Sequence, residues 1–288
     1  MKRLCLSVLL LLTAPAVFGE QPTSRPGQQI MVAYRTHWPV TLDGKIGLFE
    51  WSAAMPVCLA AVHPGQAPGV IPKVPDFPYI AVPDSQADLR YTVRTMYDDD
   101  SLYVAVEVTD DRLVAVHTYP YLWQDDDVEV MIDGDRQPGD FDRGVFQGVR
   151  NQEGFQLITS VGGGEQTEPR DNPGLENGWK SAVAILPHGY SVEFRVPLAM
   201  INTEDTSDWS GGTAGRFRRL QPGDTIGFNV AVGDNDTGEG SYLVPGGART
   251  SSYLAWDGSS LKWSVWREED WGRLYLAEPG ECVRRLWW

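Results

Sequence analysis

The chain has 288 residues, of which 42% are hydrophobic and 11% aromatic, enough to bury the core of one all-β domain. Its formal net charge of −15 argues against nucleic acid and anionic membranes as partners, because phosphate groups repel an acidic surface. The composition therefore excludes those two classes of ligand, and it suits solubility and the binding of cations.

Residues 1–19 have the pattern of a signal peptide. The letters "MKR" give a positive start, an apolar run follows, and Val17 and Gly19 are the small residues of a cleavage site. The run is too short for a membrane-spanning helix, and no other stretch approaches that length. We therefore predict an exported protein, secreted or periplasmic, in which residues 20–29 are a flexible lead-in and residues 30–288 form a single domain.

Strand patterns dominate the rest of the chain. Alternating apolar and polar residues predict strands at 89–97 and 101–110, joined as a hairpin by the turn residues "DDDS". Further strands are predicted at 127–133, 154–161, 179–186, 189–198, 224–234 and 272–278. Only residues 197–203 allow a short turn of helix. This density of strands predicts an all-β, antiparallel β-sandwich of jelly-roll type, with long surface loops at 59–88 and 203–222.

Two cysteines remain once the signal peptide is removed. They are Cys58 and Cys282, an even pair in an oxidising compartment, which favours a disulfide between them. Two buried free thiols are the alternative. No Cys-x-x-Cys pair and no cluster of Cys and His indicates a zinc site.

The stretch "YLWQDDDVEVMIDGD" at 121–135 places a tryptophan beside three consecutive acids. A glycosidase needs two carboxylates that act on one substrate. Adjacent strand residues point to opposite faces, so Asp126 opposes Asp125, Asp127 and Glu129 if the strand already includes it. The run therefore cannot direct all its acids at one point, and we predict aspartates that are solvated at a strand edge or at most support calcium.

Calcium is the one cofactor that the sequence favours, in a structural role. The letters "DNDTGE" have the D-x-D-x-G spacing that wraps a cation, with Asp234, Asp236 and Glu239 as ligands. Asp43 in "LDGKIG" and Asp110 in "VTDDR" are comparable candidates. The alternative at each position is an ordinary turn, because Asn, Asp and Gly also satisfy turn geometry.

Six stretches, taken in order, resemble the family 9 carbohydrate-binding modules. They are "VTLDGKIGLFEWSAA" (40–54), "YDDDSLYVAVEVTDDRL" (97–113), "LWQDDDVEVMID" (122–133), "GYSVEFRVPLAMI" (189–201), "GDTIGFNVAVGDND" (223–236) and "VWREEDWGRLYL" (265–276). The resemblance covers almost the whole mature chain. It implies a sandwich fold, structural calcium in many members, and a non-catalytic domain that holds a terminal sugar between two tryptophans.

The same resemblance implies the residues of a sugar site. The first tryptophan of the family falls on Trp123, the acid six positions later on Glu129, and the second tryptophan on Trp266. The position of a family guanidinium falls on Gln147 or, alternatively, on Gln156, whose amide hydrogen-bonds hydroxyls without the charge of arginine. For each tryptophan, packing at a sheet edge is the alternative to stacking on a sugar ring.

These observations predict an exported, non-catalytic protein that binds poly- or oligosaccharide through a tryptophan-lined site. Its partners would be the carbohydrate ligand and, as an additional candidate, a separately encoded glycoside hydrolase or a cell-surface assembly. Two alternatives stay open. One is a haem-b-binding electron-transfer module of the same superfamily, with an axial ligand from Met96, Met131 or Met200. The other is a scaffold or interaction domain with no sugar site.

Overall fold

A computed structural model describes the protein over eight ranges of residues. They are 29–60, 80–81, 85–136, 154–168, 178–204, 217–236, 251–256 and 271–281, with side chains omitted at 59–60, 80–81 and 251–255. Within these ranges, no helix is long and apolar enough to cross a membrane.

Almost all of the regular structure in these ranges is β-strand. The strands are β1 (Ile30–Arg35), β2 (Val57–Ala60), β3 (Ile80–Ala81), β4 (Leu89–Tyr97), β5 (Ser101–Asp110), β6 (Asp127–Asp133), β7 (Gly154–Ser160), β8 (Glu165–Glu168), β9 (Lys180–Leu186), β10 (Gly189–Pro197), β11 (Thr225–Asn235), β12 (Ser251–Ala255) and β13 (Gly272–Ala277). Two single 3-10 turns accompany them, η1 (Leu122–Gln124) and η2 (Leu198–Met200). The predicted all-β class is confirmed.

The predicted hairpin of β4 and β5 forms as the alternation indicated. The two strands pair antiparallel, with Leu89 opposite Asp110 and Tyr97 opposite Leu102. Asp98 closes the turn, because its Oδ1 accepts hydrogen bonds from the amides of Asp100 and Ser101, both at 2.8 Å. A carboxylate that bonds the backbone two and three residues on is a common turn device.

The two-sheet sandwich is not confirmed, because the described strands form one hydrogen-bonded sheet. Its order is β8-β7-β6-β11-β13-β1-β4-β5-β10-β9, with β12, β2 and β3 paired off this path. The two end strands approach each other through side chains: Trp179 Nε1 donates to Thr167 Oγ1 at 3.0 Å, and the Ser181 amide donates to Glu165 at 2.6 Å. The sheet is therefore nearly closed and resembles a barrel.

Strand β1 departs from the predicted antiparallel arrangement. It runs parallel to β13, with Ile30 opposite Arg273, and parallel to β4, with Tyr34 opposite Met96. Alternation of apolar residues reveals which faces of a strand are buried, but it contains no information on direction or partner.

The main hydrophobic core lies on one face of this curved sheet. It includes Val104, Val130, Val192, Phe194 and Phe228, each fully buried. A smaller apolar cluster covers the other face of β4 and β5, and it consists of Trp51, Met96, Tyr103 and Ala105. This outer face also holds one of the two buried carboxylate sites described below.

Candidate functional site

The three consecutive aspartates before and at the start of β6 are buried, so the prediction of solvated acids at a strand edge is wrong. Asp125 is 2% exposed, and Asp126 and Asp127 are 0% exposed. Strand alternation applies only from Asp127, where β6 begins. The two acids before it occupy a turn, where neighbouring side chains can both point inward.

Two of these aspartates fix the preceding segment of the chain. One oxygen of Asp125 accepts hydrogen bonds from the amides of Val116 and His117, each at 3.0 Å, and lies 2.7 Å from Nδ1 of the His117 ring. Asp126 accepts a hydrogen bond from the amide of Val114, and its own amide donates back to the Val114 carbonyl at 3.0 Å. Residues 114–117 are thus held by buried carboxylates.

The 3-10 turn η1 carries Trp123, whose side chain is partly exposed while Leu122 and Gln124 are buried. The amide of Leu122 donates to Oε1 of Gln166 at 3.1 Å. The Nε2 group of Gln166 in turn donates to Glu168 at 2.8 Å. A buried glutamine of β8 therefore fixes the turn that presents the tryptophan.

Several buried hydrogen-bonding side chains lie on the face of β6, β7, β8 and β11 opposite the main core, and five of them form a group there. They are Glu129, Gln156, Gln166, Glu168 and Asn229, here called the polar face. Cross-strand pairing places Gln156 opposite Glu168, whereas Ile158 lies between Glu129 and Gln166 in register. All five are at most 9% exposed. Buried polar groups need hydrogen-bond partners, so this face is a candidate binding surface of the described sheet.

The structure brings together some of the residues predicted for a sugar site. Glu129 and Gln156 both belong to the polar face, and η1 with Trp123 packs against β6 and β7. Gln147 and Trp266 lie outside the described residues. Sequence reasoning missed Gln166, Glu168 and Asn229, because β8 spans only four residues and Asn229 falls within a nearly continuous buried run.

A second set of acids forms a candidate metal centre at one end of the sheet. Asp110, Asp126 and Asp234 each place a carboxylate oxygen within 4.8 Å of the others, and all three are buried. Asp88, Asp234 and Asp236 form an adjoining group by the same measure. Two separately predicted candidates, Asp110 and the Asp234–Asp236 pair, therefore converge on one place. The ligands come from different strands and not from a single wrapped loop, and Glu239 lies outside the described residues.

The electrostatics of this group fit a cation. Burial raises the pKa of Asp126 to about 8 and that of Asp110 to about 7, and the neighbouring acids add to both rises. The Oδ2 atom of Asp110 is buried without a hydrogen-bond partner within the described part of the chain. Several carboxylate oxygens that converge without a basic side chain suit a hard divalent ion such as calcium.

Asp43 occupies a different kind of site from the other predicted calcium ligands. Its side chain is exposed, while its amide and that of Gly44 donate to Oε2 of Glu193 at 3.0 and 2.8 Å. Trp51 Nε1 donates to the other oxygen of Glu193 at 2.8 Å. Gly44 has a φ of +79°, and a Cβ there would lie 2.4 Å from the carbonyl carbon of Val183. Asp43, Gly44 and Trp51, which belong to the "DG" and "EW" motifs of this region, thus bind a buried glutamate.

The remaining predicted residues are placed as follows. Cys58 is exposed and accepts a hydrogen bond from Thr92 Oγ1 at 3.4 Å, whereas Cys282 lies outside the described residues. The three methionines considered as haem ligands are all buried, in different surroundings. Met96 packs with Trp51, Met200 belongs to the main core, and Met131 belongs to neither apolar cluster.

Residues 70–276 match the family described as carbohydrate family 9 binding domain-like. The chain belongs to this family. The match confirms the family resemblance and contains five of the six ordered motifs, from β3 to β13, with both candidate sites. Family 9 modules are generally non-catalytic binding domains, which agrees with the predicted lack of enzymatic activity for this domain.

Comparison with individual proteins gives one sequence relative and two similar structures. The exoglucanase XynX of Acetivibrio thermocellus is 29% identical over 149 residues, which cover 50% of this chain and 11% of that protein. A family 9 module from Caldicellulosiruptor kristjanssonii in complex with cellotriose is 18% identical, with a TM-score of 0.55 over 88% of this chain and 97% of that one. A family 9 module from the same organism in complex with glucose is 16% identical, with a TM-score of 0.53 over 88% of this chain and 99% of that one. These structural likenesses show a shared fold.

Proposed function

We propose that this protein binds poly- or oligosaccharide, without catalysis, through Trp123 and the polar face. The observation that carries the proposal is the polar face itself. Five buried carboxylate and amide side chains lie on one surface of four neighbouring strands, beside the turn that presents a partly exposed tryptophan.

The chemistry of these groups suits a sugar. A pyranose ring presents an apolar C–H face on which a rigid indole can stack at little entropic cost. Its hydroxyl groups donate and accept hydrogen bonds. Carboxylates such as Glu129 accept strongly, and amides such as Gln156 both donate and accept. Binding sites for small molecules combine such apolar walls with a few fixed polar groups.

Two further residues complete the proposed site by family resemblance. Trp266 would provide the second aromatic wall, and Gln147 would offer an amide to a hydroxyl. The family 9 modules that hold cellotriose and glucose support a carbohydrate as the ligand class. A glycan array on the purified protein would identify the sugar.

The decisive experiment is titration with the sugar that the array selects, followed by tryptophan fluorescence and calorimetry. Trp123→Ala should weaken binding at least about tenfold, a loss of about 1.4 kcal/mol, because the stacking surface is removed. Trp38→Ala is the matched control, since Trp38 is 65% exposed on a different segment. Unchanged affinity in both the Trp123→Ala and Trp266→Ala variants would refute the site.

Glu129 offers a test of the polar half of the site. Glu129→Gln keeps the shape of the side chain but replaces one acceptor oxygen by a donor. It should weaken binding by about 1.5–3 kcal/mol if the carboxylate accepts a sugar hydroxyl. Far-ultraviolet circular dichroism on the same variant would separate a binding loss from a folding loss. A Glu129→Gln variant that is folded and binds like the native protein would remove Glu129 from the site.

We also propose that a structural calcium ion is held by Asp110, Asp126 and Asp234, with Asp88 and Asp236 beside them. The convergence of these acids within 4.8 Å and the unsatisfied Oδ2 of Asp110 support it. The ion would brace the ends of β5 and β11 and take no part in chemistry. It would also relieve the repulsion among buried like charges.

Export and partnership complete the proposal. The signal-peptide pattern supports secretion or transfer to the periplasm, and N-terminal sequencing of the exported protein should begin at Glu20. Because an exoglucanase contains a similar segment, a separately encoded glycoside hydrolase or a cell-surface assembly is the proposed partner. Thiol titration before and after reduction would test a Cys58–Cys282 disulfide.

A further inference from the structure

The segment that leads into η1 exposes two tyrosines next to Trp123. Tyr119 is 56% exposed and Tyr121 is 45% exposed, whereas most aromatic side chains of the described strands are buried. The letters "TYPYLW" place aromatic residues at alternate positions, 119, 121 and 123. We name residues 118–123 the aromatic segment.

The aromatic segment is held in place on its N-terminal side. The buried carboxylate of Asp125 accepts the amides of Val116 and His117, and Ser160 Oγ donates to its other oxygen at 3.2 Å. Together with the bonds between Asp126 and Val114, these contacts fix the approach to the segment through main-chain groups.

The segment is also fixed internally and at its C-terminal side. The amide of Tyr121 donates to the Thr118 carbonyl at 2.9 Å, and the amide of Gln124 donates to the Tyr121 carbonyl at 3.0 Å. The amide of Leu122 is held by Gln166 of the polar face at 3.1 Å. Two aromatic rings therefore stand in contact with solvent on a backbone that has hydrogen bonds along its length.

Burying carboxylates to hold an exposed loop costs free energy, because a buried charge loses its hydration. An exposed loop without a role needs no such support. Fixed aromatic groups lower the entropic cost of binding, since neither the backbone nor a flexible side chain has to be ordered by the ligand. The burial of Asp125 is explained if the exposed rings themselves are used.

We propose that Tyr119 and Tyr121 form a second aromatic subsite, which contacts the sugar unit next to the one at Trp123. This inference rests on the proposed function and extends it from a single sugar ring to a chain. The ligand class is an oligosaccharide whose adjacent pyranose presents a C–H face to a phenol ring. The phenol hydroxyl can bond the hydroxyl groups of the same unit.

The position of the tyrosines favours a longer sugar over a protein partner. They continue the same short stretch of backbone as Trp123, and Gln166 links that stretch to the polar face. A subsite in this place adds affinity for the second unit of a chain and leaves the affinity for a single unit unchanged.

The test compares glucose with cellotriose by calorimetry, in the native protein and in the Tyr119→Ala, Tyr121→Ala and double variants. The double variant should lose about three- to tenfold in affinity for cellotriose, as expected for one or two aromatic contacts. Its affinity for glucose should stay unchanged. Trp123→Ala should weaken the binding of both sugars. Phe217→Ala, an aromatic residue 48% exposed on another segment, should change neither.

Each outcome decides the matter. A double variant that binds cellotriose like the native protein overturns the subsite. A double variant whose affinity falls equally for glucose and for cellotriose overturns it as well. Tyr121→Phe keeps the ring, so its retention of cellotriose affinity supports stacking as the contact. Native protein that binds neither sugar overturns the proposed function for these ligands and the subsite with it. Thermal unfolding of each variant checks that it is folded. Because the substituted residues are exposed, we expect the fold to be preserved.

Discussion

Buried carboxylates occur at two places in this protein, and the two places differ in the groups that surround the charge. Glu193, on the outer face of β10, accepts hydrogen bonds from Trp51 and from the amides of Asp43 and Gly44. Asp110, Asp126 and Asp234 instead face one another. Burial raises the pKa in both places. Hydrogen-bond donors oppose the rise at all three residues. The Trp51 indole is the strongest of these donors at Glu193, whereas several neighbouring acids add to the rise at Asp126 and Asp110.

The two places differ in the donors that the protein itself provides to the carboxylates. Glu193 has three donors of its own and fixes the segment around Gly44 and Trp51 on the sheet. The aspartate group has backbone donors for some of its oxygens but no basic side chain among its members. A buried charge is stable only when it is paired or neutralised. Both oxygens of Glu193 therefore have donors within the protein, whereas Oδ2 of Asp110 has none within the described residues.

The largest effect is expected from removing the self-sufficient carboxylate. Glu193→Ala leaves the Trp51 indole N–H and the amides of Asp43 and Gly44 without their acceptor. Each buried unsatisfied donor costs about 1–3 kcal/mol, so we expect the free energy of unfolding to fall by at least about 3 kcal/mol. Urea denaturation, followed by tryptophan fluorescence, measures this loss.

Graded variants sharpen this result. Glu193→Gln retains one acceptor oxygen and should be destabilised less than Glu193→Ala. Glu107→Ala, on neighbouring β5, removes an exposed carboxylate whose partner Arg94 lies 3.9 Å away, and should cost about 0.5 kcal/mol or less. If Glu193→Ala and Glu107→Ala were equally stable, the anchoring role of Glu193 would be wrong.

The next largest effect concerns calcium. A ligand that binds only the folded state at a hundredfold excess over its Kd stabilises it by about 2.7 kcal/mol. Native protein should therefore unfold at a higher temperature with excess calcium than with a chelator. Calorimetric melts in both conditions give the shift. Equal melting temperatures at millimolar calcium would count against the metal centre.

A smaller effect of opposite sign is expected from neutralising one acid of the group. In chelator and at a pH above about 8, where Asp110 and Asp126 are ionised, Asp234→Asn should stabilise the protein on the order of 1 kcal/mol, because it removes a buried like charge from its two neighbours. The same variant should lose the calcium response. Destabilisation in chelator, combined with a full calcium response, would contradict the electrostatic account of this group.

The smallest effect is expected at Asp43. Its exposed carboxylate accepts the amide of Lys45 at 2.9 Å, a local turn contact. Asp43→Ala should cost about 1 kcal/mol or less and leave the calcium response intact. A lost calcium response in this variant would restore Asp43 as a metal ligand and break the contrast between the two carboxylate sites.

Much of the fold could be predicted from local patterns. The bounds of β4, β5 and β6 follow from strict alternation of β-branched and aromatic residues. Five strands were missed, namely β1, β2, β3, β8 and β12. Three of them, β2, β3 and β8, have only two to four residues, which contain too little alternation. The connection of all strands into one nearly closed sheet depends on pairing between distant segments, which periodicity does not encode.

The candidate site was predictable only in part. Family resemblance pointed to Trp123 and Glu129, and spacing pointed to Asp110 and Asp234. That the last two meet Asp126 depends on how the ends of β5 and β11 and the turn before β6 converge. The error at the triple aspartate has a clear cause. Alternation was applied before the strand began, and three acids in a row resemble a solvated turn.

The position of β1 between β13 and β4 has a consequence for biosynthesis. Its partner residues on β13 are more than two hundred positions away in sequence, and β13 also borders β11. Such long closures slow folding, because chain entropy is lost before the contacts form. During translation, both β1 and β11 keep an open edge until residues 272–277 have been made. A ribosome that stalls before that point would release a chain with two unpaired edges, which invites aggregation.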